Sequence, residues 1–224
     1  MSFDFLFAPV EELDHLITGL FDGAPLVVAL AVAFLLGARH ASDPDHLVAV
    51  TSLVAADDGD TRQAARLGAW WGVGHTAALV ALGIPLIAFK AQLPGWLESG
   101  AEKAVGAVIL LLAARVIYRW ARPHAHALKL RTSRQAMSIG LLHGLAGTGA
   151  VVVLLIAALP TQVEAALALA VFAPMSMVSM AACTAGFAWV LTRPSVEPLY
   201  RTVLVPGLGV FGVMFGLWYA GLGL

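Results

Sequence analysis

The sequence predicts an all-α polytopic membrane protein with six transmembrane helices. Its 224 residues are 60% hydrophobic and only 12% charged, about half the roughly 25% charged share of soluble domains. Mean hydropathy is +0.86. Apolar runs near 20 residues, the length that spans a bilayer core, recur six times: about 25–56, 67–89, 101–120, 135–159, 163–191 and 199–223.

Taken in order, residues 1–24 carry five acids and no Lys or Arg. A secretory signal begins with a basic region, so this segment reads as a short interfacial helix or a frayed tail. The first run holds "PLVVALAVAFLLGA", then "RHASDPDH" at 39–46, then "LVAVTSLVAA". The second contains "LGAWWGVGHTAAL", and the third ends in a basic loop, "RPHAHALK", with His124 and His126. That loop reads as solvated, or as one that captures metal. "SIGLLHGLAGTG" opens the fourth run; the fifth carries Pro174 followed by Met175, Met177 and Met180, read as core or as a soft path. No linker or low-complexity stretch divides the chain. The organisation is therefore an N-terminal segment, 1–24, and one transmembrane domain, 25–224.

Loop charge orients the domain. Arg62, Arg66, Arg119, Arg122, Lys129, Arg131, Arg134, Arg193 and Arg201 follow the odd-numbered spans, against Lys90 and Lys103 on the other side. Both termini are expected on the non-cytoplasmic side of the cell inner membrane. A net charge of −1 excludes broad affinity for nucleic acid. The single Cys183 excludes a disulfide framework or a thiolate metal cage.

An internal echo appears. Gly37-x-x-His40 and Gly140-x-x-His143 each lie in the first span of a three-span half, about 25–120 and 135–223. The halves enter from opposite faces, the plan of a 3+3 inverted repeat with its site at the midplane.

The polar cluster carries the chemistry. Ionisable groups at mid-membrane cost roughly 2.5–3.5 kcal/mol each, so Arg39, Asp43 and Asp45 would together cost on the order of 8 kcal/mol uncompensated. They must be paired, hydrated or bound to an ion. Pro44 lacks an N–H and leaves a carbonyl near His40 without its helical partner, and Gly37 is expected to weaken the helix further. In a continuous α-helix His40 and His46 diverge, whereas a 3₁₀-like turn aligns His40, Asp43 and His46. Imidazole with carboxylate suits Ni²⁺, Co²⁺ or Zn²⁺. The bland alternative is an Arg39–Asp pair that locks a bend, with the histidines merely hydrogen-bonded. His75 and His143 each sit roughly 12 Å into their spans, at similar depth, beside glycines that permit close helix approach.

"RHASDPDHL" resembles the second-span signature of the nickel/cobalt transporter (NiCoT) family, His-x4-Asp-His within Arg-His-Ala-x-Asp-x-Asp-His. "LGAWWGVGHTAAL" resembles its next signature, Leu-Gly-x-x-Phe-x-x-Gly-His-Ser, with Trp71 and Thr76 substituting. The match is good over about residues 35–80. It implies a secondary permease for Ni²⁺ or Co²⁺ with His40, Asp45 and His46 at the metal site, joined by Asp43 and His75. Family members commonly have eight spans and two later acidic signatures. This chain has six and lacks those signatures, "LLHGLAGTGA" standing there instead, and Pro44 replaces the usual small residue. The build is thus similar to short, urease-accessory-like nickel permeases, which implies nickel-enzyme maturation proteins as partners, and to six-span exporters.

The resulting expectation is a transporter and not an enzyme, with metal residues His40, Asp43, Asp45, His46, His75 and His143. Arg39 pairs with an aspartate when the site is empty. The metal is cargo and no cofactor is expected. No Gly-x4-Gly-Lys-Ser/Thr occurs, so the energy comes from a gradient or a separate partner. The rivals are an exporter of an anion or small solute, using Arg39, and an intramembrane His/Asp metalloenzyme. Against the second stands the absence of His-Glu-x-x-His.

Overall fold

The computed structural model describes residues 5–6, 8–9, 12–13, 16, 19–21, 25–55, 61–122, 132–191, 193 and 195–222. Beyond a 3₁₀ turn at Gly19–Phe21, the described residues form seven principal helices and no strand. These are α1 (Leu26–His40), α2 (Pro44–Ala55), α3 (Thr61–Phe89), α4 (Gly95–Ala121), α5 (Ser133–Ala158), α6 (Gln162–Leu191) and α7 (Val205–Tyr219). A short turn, Glu197–Leu199, and a π-helical stretch, Tyr200–Leu204, lead into α7.

Six stretches are long and apolar enough to cross a membrane, the first running through α1 and the start of α2 as Leu26–Ala49. The chain is a multi-pass helical membrane protein. Two helices begin earlier than their apolar runs. α3 opens on the polar "TRQAAR" and α4 on "GWLESG", because backbone hydrogen bonding continues past the apolar section wherever the residues are good helix formers. Pro85 and Pro174 sit inside α3 and α6 without ending them, as membrane helices tolerate when neighbours satisfy the freed backbone. At the start of α6, Thr161 and Glu164 cap reciprocally. The Glu164 N–H donates to Thr161 Oγ1 at 3.2 Å, and the Thr161 N–H donates to Glu164 Oε2 at 3.2 Å.

The four most extensive helix pairings follow one pattern. The first crossing packs on the fifth and the fourth on the second; the second also packs on the fifth, and the third on the sixth. Exchanging crossings one to three with four to six maps this set of pairings onto itself.

Glycines make the closest of these approaches. A Cβ at Gly37 would lie 2.6 Å from the Phe172 carbonyl oxygen in α6, and one at Gly140 would collide with the Trp71 carbonyl oxygen in α3. The two glycines of the sequence echo thus do equivalent jobs in their two helices. α1 runs through Gly37 and ends three residues later at His40, and the missing side chain serves close contact with α6.

Gly140→Ala should therefore destabilise the protein by about 1–3 kcal/mol through overpacking. Gly147→Ala should be neutral or slightly stabilising, because a Cβ there meets nothing within 4 Å. Thermal unfolding midpoints of the two variants in detergent, compared with wild type, check this pair.

Candidate metal centre

The centre begins at the break between α1 and α2. Pro44 cannot donate to the His40 carbonyl, so the chain tightens. The Ser42 N–H donates to the Arg39 carbonyl at 2.7 Å and the Asp43 N–H to the His40 carbonyl at 3.2 Å. These are successive i→i−3 bonds, a 3₁₀ turn. α-Helical bonding resumes with the Leu47 N–H donating to the Asp43 carbonyl at 2.9 Å. Pro44 is the first residue of α2, a position where no N–H is required of it.

The break is held from α6. Ser179 Oγ shares its one proton between the Gly37 carbonyl at 3.0 Å and the Ser176 carbonyl of its own helix at 2.9 Å, and Cys183 Sγ lies 3.8 Å from the Ala41 carbonyl as its donor. Sequence reading did not assign these two residues to the site. Their i, i+4 spacing places them on one stripe of α6, a signal available in the sequence, but the carbonyls they serve lie 142 residues away.

The 3₁₀ turn brings His40 and Asp43 together: His40 Nδ1 lies 3.0 Å from Asp43 Oδ2, and Arg39 donates to Asp43 Oδ1 at 2.8 Å. His40 and His46 have ring centroids 4.5 Å apart, the convergence the turn was expected to give. His75 enters from α3, its Nε2 2.9 Å from His40 Nε2. From α5 comes His143, whose Nε2 lies 2.8 Å from Asp45 Oδ2, while Asp45 Oδ1 lies 3.0 Å from His46 Nδ1. His46 and His143 have centroids 4.3 Å apart. All six residues singled out in the sequence meet in one place.

The four histidines are buried, with His75 wholly enclosed. His46 Nε2, His75 Nδ1 and Trp71 Nε1 have no hydrogen-bond partner among the described residues. Buried polar atoms are nearly always satisfied, so the two bare imidazole nitrogens are candidate ligand atoms. Two groups bring one donor atom from each member within 4.8 Å of one another: His40, His46 and His75, and Asp45, His46 and His143. Either could hold a metal ion.

The chain is similar in sequence to a urease accessory protein. Over 212 residues it is 26% identical to the urease accessory protein UreH of Bacillus sp. (strain TB-90), covering 88% of this chain and 92% of that protein. The likeness thus extends far beyond residues 35–80. No protein-family profile matches the chain. No solved structure matches it.

Other expectations divide. Trp71, noted only as a substituted signature position, is a wall of the centre, its ring 5.6 Å from both His46 and His143. Phe172 lies edge-on to His40 at 5.2 Å. Met180 is fully buried in the cluster that includes Leu67 and Trp71, which is core packing. His124, His126 and most of the 1–24 segment lie outside the described residues.

Asp43 serves Arg39 and His40 at once, so Asp43→Ala should cost about 2 kcal/mol of stability. Pairing it with Arg39→Leu should recover part of that loss, because the cation no longer needs the carboxylate. A double-mutant cycle on denaturant unfolding in micelles reads the coupling, and strict additivity of the two losses would refute the pairing.

Proposed function

We propose that the protein is a secondary membrane transporter of a divalent transition-metal ion, Ni²⁺ or Co²⁺. One observation carries this reading: four buried imidazoles from three crossings converge with two carboxylates near the middle of the helices. Charged and polar side chains at that depth are costly, and a bundle that only needed to be stable would fill the space with apolar residues. Nitrogen donors with carboxylate, and no thiolate, match Ni²⁺ and Co²⁺ chemistry. The resemblance of the two His motifs to the nickel/cobalt transporter signatures supports the same cargo. So does the accessory-protein name of the relative, which fits the short, urease-accessory-like nickel permeases and, as partners, nickel-enzyme maturation proteins.

The centre suits carriage rather than hydrolysis. Its donors come from three crossings of the 3+3 plan, which we read as an inverted repeat whose halves rock about the midplane site. The anion reading loses its main support, since the Arg39 charge is offset by Asp43 at 2.8 Å. Loop charge supports a reading in which both termini lie outside the cytoplasm, in the cell inner membrane. The driving force is a gradient or a separate partner.

In proteoliposomes the wild-type chain should move radioactive Ni²⁺ or Co²⁺ across the bilayer. Binding should release protons, because imidazole coordinates only when neutral, so affinity should fall as pH falls. His40→Ala should reduce flux to the level of empty vesicles while the protein still inserts and purifies as a single species. Undiminished flux in that variant would refute ligation by His40.

A further inference from the structure

We propose that the centre is two cation stations sharing one imidazole, His46, across which a single ion is handed. The inference rests on the metal-transport reading and specifies how its site works.

Two donor sets exist, His40/His46/His75 and Asp45/His46/His143, and His46 belongs to both. Its two ring nitrogens are in different situations. Nδ1 lies 3.0 Å from Asp45 Oδ1, and the other oxygen of that carboxylate lies 2.8 Å from His143 Nε2. Nδ1 thus faces the carboxylate of the second set. Nε2 has no partner among the described residues, and it is the atom left for the first set, where the Nε2 atoms of His40 and His75 stand 2.9 Å apart. The lone-pair directions of one imidazole diverge, so a single ion takes one nitrogen or the other. Two divalent ions facing each other across one ring would repel strongly in a poorly screened interior. Occupancy is one ion at a time.

The stations differ in chemistry and in origin. The first offers three imidazoles, one of them backed at Nδ1 by Asp43, the carboxylate–histidine arrangement that orients a ligand ring. The second replaces one imidazole by a carboxylate and is the harder site. Every donor of the first station comes from α1, α2 and α3, in the first half of the chain; the second adds His143 from α5, in the other half. Passing the ion across the His46 ring therefore passes it from one half's ligands to a ligand of the other. Neutral imidazole keeps one N–H, so while Nε2 holds the ion the ring proton sits on Nδ1 beside Asp45. Transfer of the ion to Nδ1 breaks that N–H bond and forms one at Nε2; apart from this one-proton shift only metal–ligand bonds change.

The test uses the full chain in detergent and in vesicles, with Co²⁺ as the probe because its visible absorption follows the donor set. Wild type should bind one Co²⁺ per chain. His75→Gln and His143→Gln should each still bind one ion, at least about tenfold more weakly. Their spectra should differ, one belonging to the carboxylate-containing station and the other to the all-imidazole station, and neither variant should move the ion across vesicles. His46→Gln, common to both stations, should weaken binding more than either. Asp45→Asn keeps the side-chain shape and should reproduce the His143→Gln spectrum, which covers the case in which His143→Gln does not fold.

Three results would overturn the shared-ring proposal while leaving metal transport standing. They are two Co²⁺ per wild-type chain, identical spectra for the His75 and His143 variants, or a His143 variant with wild-type spectrum and flux. A wild-type chain that binds neither Co²⁺ nor Ni²⁺ would overturn the transport reading itself and this proposal with it.

Discussion

Pro44 has no amide hydrogen to give the His40 carbonyl, and hydrocarbon supplies no water to take its place. An unmet carbonyl in that setting costs several kcal/mol, so the chain must satisfy it locally. It does so by the Asp43 N–H, at the cost of tightening into a 3₁₀ turn. That one adjustment brings His40 and Asp43 into contact and rotates His46 toward His40. Ser179 and Cys183 then serve the neighbouring carbonyls of Gly37 and Ala41 from α6. The polar network at the centre of the bundle is thus a consequence of backbone accounting before it is a set of ligands.

Bringing each of the four rings to within 4.3–6.1 Å of at least two others also requires that their helices nearly touch. Lipid offers no hydrophobic drive for helix association, so contact depends on small residues that let backbones approach. Gly37 meets the Phe172 carbonyl, Gly140 the Trp71 carbonyl and Gly144 the His75 carbonyl, where a Cβ would lie 2.5 Å away. Each of these glycines is three residues before a ring of the centre or one after it. Side-chain convergence and backbone proximity are two aspects of one packing solution.

Much of this could be seen in the sequence. Long apolar runs show as composition, so six crossings were legible, and proline before an acid–histidine pair showed where the first would break. His75 and His143 were legible through depth alone, because rise per residue turns sequence position into height. What height cannot give is rotation about the helix axis. Asp45 bridging His46 and His143, the bare Nε2 of His46, and Trp71 standing against both histidines all depend on which way α2, α3 and α5 face. The service of Gly37 and Ala41 by α6 was hidden for a different reason: it joins residues 142 positions apart. Gly37 was legible only in part, because glycine destabilises an isolated helix but strengthens a membrane contact where the neighbour comes close enough.

Breaking the first crossing also creates two dipole ends where a continuous helix has none. α1 terminates at the centre with the partial negative charge of its last carbonyls, and α2 begins there with the partial positive charge of its first amides. The sequence places charge to suit both: Arg39 and His40 occupy the last turn of α1, and Asp45 the first turn of α2. Each such placement stabilises by about 0.3–1 kcal/mol, and by more where water is excluded. The cation and the carboxylate are therefore held by helix poles as well as by their partners. A continuous helix through position 44 would erase both poles and leave two buried charges with neither end to sit against.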